Sequence, residues 1–378
     1  MKEKYSILIP DGESNFLPVV INCLSQNKRY KLYVILSEKY KQKEIARYKI
    51  ISDIHTYEPL TEDNEIAWVN NINTIVEEHA IDIIMPIDID AIRCLSKNKR
   101  YIKASNKLGL LPPLESFDIA NDKGALAKYL TDIGLPVPDT FLYAKNDDCE
   151  KSRSFDFPVI MKILEGFYGS GGGIKMFNDS ESLRHYFLNN TMDSSYLIQN
   201  YIEGYDIDCS VLCKNGEILA FTIQKGTMKG VSDFTPQVGV EFLFEQELYA
   251  VVKKLMKSLN WSGVAHIDMR FDKNDKKFKV IEINPRFWES LDASLIAGVN
   301  FTYFYCLASK DIPFEMPKYN TVKFLNLVGI NKTIKQNKWF LFNFKFLFNN
   351  TPLKFFRKDP IPLIYILYYK IKNDFKRN

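Results

Sequence analysis

No two of the six cysteines stand at CxxC spacing; they are scattered along the chain. The usual zinc-ribbon and dithiol patterns are therefore missing, which fits a reducing, cytoplasmic compartment. Cys209 and Cys213, four apart in a strand-like segment, share a face and read as buried core thiols in preference to a metal or redox pair. No apolar run approaches the roughly 20 residues needed to span a bilayer, and "MKEKYSILIP" at the start lacks a cleavable signal pattern. There is no GxGxxG, so a dinucleotide fingerprint is missing too. No Ser-His-Asp or Cys-His set offers a covalent nucleophile. Acidic residues are scarce at the end of the chain: from Asn331 onward eleven Lys/Arg face only Asp359 and Asp374, an excess of nine cations. Since the whole chain carries +4, the first 330 residues carry −5. What remains is an ordinary globular composition, 46% hydrophobic and 25% charged over 378 residues, with length for about two or three domains.

"YSILIPD" (5–11), "KLYVILS" (31–37) and "IDIIMPID" (81–88) are short apolar runs separated by helix-sized segments, "FLPVVINCLSQN" and "IAWVNNINTIVEEHA". Alternation of this kind predicts βαβ units and a parallel sheet. "LGLLPPLES" (108–116) is a proline-punctuated break. Beyond it, Asn121 or Asp122 caps a helix that Gly134 and Pro136 end. "FPVIMKIL", "SSYLIQNYI", "DIDCSVLC", "EILAFTIQ", "GVAHIDMRF" and "KFKVIEIN" then predict strands around few helices, an α+β region. "AVVKKLMKSLN" has helical spacing.

Three stretches carry chemistry. "MKILEGFYGSGGGI" (161–174) packs five glycines into the eight residues from Gly166, a loop whose amides can turn toward an anion. It is not a P-loop, because Gly172 and Gly173 stand where Lys and Ser/Thr belong. Its lysine, Lys162, precedes it within an apolar strand; a buried ammonium calls for a partner, unless the strand lies at an edge in solvent. "LIQNYIEGYDID" (197–208) leads a strand through Gln199, Tyr201 and Ile202 to Asp206 past a turn at Gly204. "HIDMRF" (266–271) and "KVIEIN" (279–284) flank the turn-forming "DKNDKK" and should pair as a hairpin. If Asp268 opposes Glu282, then His266 opposes Asn284 and all four share a face. Like charges about 5 Å apart repel, so these oxygens suit a hard cation such as Mg²⁺. A solvent-facing polar hairpin is the alternative, and His266 alone reads as a satisfied polar residue.

The lysine in "NDK", the lysine ahead of a glycine loop, the Q-x-Y-I-x-G-x-D hinge, the Asp strand and "EINPRFW" followed by "AGVNF" together resemble the ATP-grasp superfamily over about residues 5–310, in its carbamoyl-phosphate-synthase-like (large chain) carboxylate–amine ligase branch. The resemblance implies an α/β, Rossmann-like pre-ATP-grasp domain over 1–112 and an α+β two-lobed ATP-grasp fold over 113–310 with its small lobe at about 125–200. A basic, aromatic C-terminal extension over 311–378 would follow. It implies ATP and Mg²⁺ (or Mn²⁺). Lys123 and Lys162 would meet the phosphates under the loop of Gly169, Ser170, Gly171 and Gly172. Gln199, Tyr201 and Ile202 would line the adenine, and Asp206 the ribose. Asp268, Glu282 and Asn284 would hold metal, and Arg286 would meet the transferred phosphate, with Lys225 or Lys229 adding charge from the other side. His266 departs from the pattern, standing where some relatives place an arginine. Gln199 and Asn200 likewise replace the charged pair common at the hinge.

The implied reaction is an ADP-forming ligation of a small-molecule carboxylate to an amine through an acyl phosphate, of amino-acid, peptide, secondary-metabolite or surface-polysaccharide type. The alternatives are a nucleotide-binding module that serves as sensor or partner, and a biotin-dependent carboxylase component, although no biotinyl-lysine domain is present. Residues 331–378 interleave twelve aromatics with the cations. They read as packed onto the body, as a peripheral contact with the inner face of a membrane, or, least favoured, as a nucleic-acid patch.

Overall fold

The computed structural model describes residues 4–41, 48–143, 155–164, 173–190, 194–230, 234–355 and 359–361, together with 364 and 368. The described residues form an α/β structure with three sheets. The first is parallel, in the order β3-β2-β1-β4, from β1 (Tyr5–Ile9), β2 (Tyr30–Leu36), β3 (Ile51–Thr56) and β4 (Ile83–Ile84). Helices α1 (Leu17–Leu24), α2 (Glu38–Lys41) and α3 (Glu65–Glu78) connect the strands, and α4 (Ile89–Lys97) follows the last. Ile7 and Ile9 pack into one apolar cluster with Leu17 and Val20 of α1. Leu8 joins another with Trp68 and Ile72 of α3. A strand covered on both faces needs an unbroken apolar run, and "ILI" supplies it. The expected strand at 81–88 is cut to two paired residues, since Pro86 has no N–H to continue the ladder.

Helices α5 (Leu114–Asn121) and α6 (Lys123–Asp132) lead into the second sheet. Its strands β5 (Thr140–Tyr143), β6 (Val159–Ile163), β7 (Lys175–Phe177) and β8 (Tyr196–Asn200) are antiparallel, in the order β5-β8-β6-β7. Helix α7 (Ser180–Asn189), capped by Asp179 accepting from the Ser182 N–H, closes its apolar face.

The third and largest sheet is antiparallel, in the order β13-β12-β9-β10-β11-β14. Strands β9 (Gly204–Lys214) and β10 (Glu217–Met228) are joined by Asn215 and Gly216, both at positive φ (52° and 81°). An Asn-Gly pair in that conformation matches the twist of a two-residue hairpin. β11 (Gly239–Leu243), helix α8 (Gln246–Ser258), β12 (Gly263–Asp272), β13 (Phe278–Asn284), and helices α9 (Leu291–Ala297) and α10 (Phe301–Ser309) follow. Ile207, Cys209, Val211 and Cys213 of β9 turn one face to Leu248, Val252 and Leu255 of α8. Cys209 and Cys213 are thus buried free thiols. The opposite face of β9 carries Asp206, Asp208 and Ser210. Finally β14 (Lys323–Leu325) enters this sheet beside β11, so the C-terminal segment begins inside the fold before α11 (Leu327–Gln336) and α12 (Phe344–Asn349).

Candidate active site

Strands β12 and β13 pair in the register expected from the sequence, Asp268 opposite Glu282 and His266 opposite Asn284. On the other side of β12, Asp208 lies opposite Asp268. Three carboxylates therefore meet on one face. Burial, then the neighbouring charges of Asp208 and Glu282 and a hydrogen bond shared with Glu282, pushes Asp268 well up from the usual carboxylate range. Asp208 is pushed to about 7, chiefly by burial and partly offset by the Gln224 amide that donates to it at 3.4 Å. Glu282 goes the other way: burial opposes its charge, but Lys123 and Lys162 outweigh it and hold the carboxyl below its ordinary value. Asn284 Nδ2 donates to Asp268 at 3.3 Å. The face is partly screened from solvent: the His266 and Asp208 side chains are 10% and 16% exposed, while those of Glu282 and Asp268 keep 28% and 35%.

Two lysines approach from the other elements. Asp122 caps α6 by accepting from the Ala125 N–H at 2.7 Å, which puts Lys123 in the first turn. A cation at the positive end of a helix is unfavourable on its own; here its Nζ lies 3.3 Å from Glu282 Oε2. Lys162 sits in β6, an interior strand between β8 and β7, so the edge-strand alternative falls. It is 7% exposed, and its Nζ donates to Gln199 Oε1 at 3.3 Å. Burial lowers its pKa, while Glu282 opposes that shift.

Beside the lysines, the segment linking β8 to β9 is fixed by Arg270 of β12. Its Nε donates to the Ile202 carbonyl at 2.7 Å, its Nη2 donates to Tyr201 Oη at 3.2 Å, and it pairs with Asp206. Gln237 also donates to Asp206 at 2.7 Å. Gln199, Tyr201, Ile202 and Asp206 are thus adjacent, with Gln199 buried and hydrogen-bonded through Nε2 to Thr140. Arg270 and Asp208 escaped the sequence reading, although each sits two residues from a named one. Gly169, Ser170, Gly171 and Gly172 lie outside the described residues.

Arg286 bridges to the first sheet. Its Nη2 donates to Asn284 Oδ1 at 3.0 Å, its Nε lies 3.8 Å from Asp88 Oδ1, and its guanidinium covers the Phe16 ring at 4.2 Å. Asp88 is itself bound by Ser14 at 2.7 Å. His266 is a satisfied residue: Nδ1 meets Ser210 Oγ at 2.8 Å and the ring stacks on Trp288 at 5.4 Å. Burial and Arg286 push its pKa down to about 3, so the imidazole is neutral.

Lys225 is a correction. In β10 it is Gln224 that faces Asp208, so strand alternation turns Lys225 to the other side of the sheet, where its ammonium covers the Tyr205 ring at 3.7 Å. If the site turns over ATP, as the resemblance implies, Lys225→Gln should therefore change kcat/KM for ATP by less than about threefold, since it loses a cation–π contact on the sheet face opposite the carboxylates. A larger drop in steady-state ADP formation would return Lys225 to the site.

A second expectation concerns Asp292, buried in the first turn of α9. Burial raises its pKa from 3.8 to about 7, against amide hydrogen bonds that lower it. Between those values the folded state binds the proton that the unfolded chain has released, so stability falls as pH rises through the window. Asp292→Asn cannot ionise and escapes that fall. Its advantage over the parent should widen up to about pH 7, with an upper bound of roughly 4 kcal/mol. Urea melts on the acid and neutral sides of the window measure it; a pH-independent difference would refute the assignment.

A family model described as the ATP-grasp domain matches residues 120–290, the span that runs from the end of α5 past Arg286. This chain is similar to that family over the matched span, and the cluster of carboxylates and lysines lies within it. Among curated proteins, the carbamoyl phosphate synthase large chains of Methanocorpusculum labreanum and of a Thermoanaerobacter species are similar. They are 24% identical over 189 residues and 25% over 186 residues. Each match covers 46% of this chain but only 17% of the relative, so the chain spans a small part of these proteins. Among solved structures, N5-carboxyaminoimidazole synthetase from Staphylococcus aureus in complex with ADP superposes with a TM-score of 0.67 at 15% identity, covering 90% of this chain and 86% of that one. L-amino acid ligase from Bacillus licheniformis gives 0.60 at 18%, covering 83% and 75%. Biotin carboxylase from Campylobacter jejuni gives 0.62 at 17%, covering 83% and 73%. At these identities the structural likeness establishes the fold.

Proposed function

We propose that the chain is an ATP-dependent, ADP-forming ligase that joins a small-molecule carboxylate to an amine. The observation that carries this reading is the meeting of Asp268, Glu282 and Asn284 on one sheet face with Lys123 and Lys162 beside Glu282. In this reading residues 1–112 are the Rossmann-like pre-ATP-grasp domain, 113–310 the ATP-grasp domain with its small lobe at about 125–200, and 311–378 a basic, aromatic C-terminal extension.

The donor set fits a hard divalent cation. Asp268, Glu282 and Asn284 each offer an oxygen, and burial together with the neighbouring charges of Asp208 and Glu282 raises the Asp268 pKa well above its ordinary value. These three residues would hold Mg²⁺ or Mn²⁺, which supplies neutralisation of phosphate charge when bound. The protein's own groups do the rest. Lys123 and Lys162 face the phosphates, and Arg286, fixed through Asn284 and Asp88, faces the transferred group. The Ile202 carbonyl region, held by Arg270, receives the adenine edge, and Asp206 the ribose. A substrate carboxylate oxygen attacks the γ-phosphorus, the bond to the β–γ bridging oxygen breaks, and ADP leaves. The amine then attacks the acyl carbon of the acyl phosphate; phosphate departs and the nitrogen loses a proton. Positioning and fixed charge suffice for the first step, as in phosphoryl transfer generally.

The test is ADP release with MgATP and pools of carboxylates and amines, with mass spectrometry of the products. Stimulation that requires both pools and yields an amide supports the reading. Tight ATP binding with no stimulated ADP would instead define a nucleotide-binding module without ligase chemistry.

A further inference from the structure

We infer that residues 335–348 form a docking surface for an anionic lipid bilayer. The segment is folded: Asn337 caps its first turn by accepting from the Trp339 N–H at 3.0 Å, and Asn343 caps α12 by accepting from the Phe346 N–H at 3.2 Å. Leu347 turns inward with Leu325 and Ile330, joined by Phe340 and Phe346. Other apolar side chains of the segment stay open to solvent. Trp339 is 78% exposed, Phe342 65%, Phe344 59% and Leu341 48%. Trp339 and Phe342 touch at 5.7 Å and Phe342 and Phe344 at 6.5 Å, so they make one patch.

Charge selects the occupant. Lys335, Lys338 and Lys345 lie exposed along the patch, and not one Asp or Glu occurs between Glu315 and Asp359. A second copy of the chain would bring like charge against like charge. An anionic headgroup layer offers the opposite sign to the lysines, an interface suited to Trp, and acyl chains for Phe and Leu. The surface involves none of the residues of the ATP site and does not depend on the ligase reading.

The protein carries its own reporter, because Trp68, Trp261 and Trp288 are buried at 4%, 0% and 2% exposure while Trp339 is not. The full chain should sediment with vesicles of phosphatidylcholine containing phosphatidylglycerol and not with phosphatidylcholine alone. Trp339 emission should shift to the blue and be quenched by acyl-brominated lipid. Lys335→Gln/Lys338→Gln/Lys345→Gln should lower vesicle affinity about a hundredfold at low salt. Phe342→Ser/Phe344→Ser should abolish the bromolipid quenching while leaving the melting temperature of the lipid-free chain intact. The inference is overturned by no binding to anionic vesicles, by binding without quenching, by a blue shift that follows self-association in the absence of vesicles, or by a preference for single-stranded nucleic acid over vesicles.

Discussion

Glu282→Gln should abolish ADP formation, lowering the rate by roughly 10³-fold or more, with little change in the folded state. Of the three carboxylates on the sheet face, Asp208 and Asp268 have their pKa values raised, chiefly by burial, whereas Lys123 and Lys162 hold the Glu282 carboxyl below its ordinary value. It is therefore the fixed negative charge of the site, the group that Lys123 and Lys162 both feel. Glutamine keeps the volume and one oxygen but removes the charge. The fold should survive because the side chain is partly open to water and Lys123, its partner, is 41% exposed. Steady-state ADP formation and the shift in melting temperature on adding MgATP are the two readouts. Retained turnover would remove the assignment of this face as a metal-binding wall, whereas a lost melting transition without ligand would expose a structural role.

Lys162→Met should separate stability from function. The ammonium is buried on an interior strand, and among the described residues it donates to the neutral Gln199 amide. Desolvation thus works against the charge in the protein alone, and an unbranched thioether fills much the same space. Exchanging a buried charge for an apolar side chain of similar volume is often neutral or stabilising, here by zero to about 2 kcal/mol. In the ligase reading the same change removes a positive charge that would face the phosphates, and kcat/KM for ATP should fall about 10²- to 10³-fold. A variant that melts lower and turns over normally would mean that Lys162 serves packing, not phosphate.

Much of this site could be read from local pattern. Lys162 stands out because a lysine interrupts "VIMKI", and Glu282 and Asn284 stand out because alternation in "VIEIN" puts both on one face. The turn between β12 and β13 is short, so their register followed from the sequence as well. Asp208 did not, because its approach to Asp268 depends on β9 pairing with β12 across more than fifty intervening residues. Lys225 failed for a related reason: a strand's period fixes which residues share a side, but only its neighbour decides which side that is. In the fold, "SDIHT" and "KMF" were illegible as β3 and β7, since exposed polar residues on short strands leave little alternation to detect. β14 is legible only when β11 is already in place to receive it.

The ion pair between Lys123 and Glu282 has a thermodynamic consequence for ligand order in the ligase reading. In the protein alone each charge neutralises the other at 3.3 Å. A nucleotide that engaged the lysine without a cation would strand the glutamate, and a cation on the glutamate without nucleotide would strand the lysine. Taken up together, the two ligands exchange one set of neutral pairs for another. Each should therefore tighten the other's binding by the same factor, a reciprocity that linkage requires of any two coupled ligands.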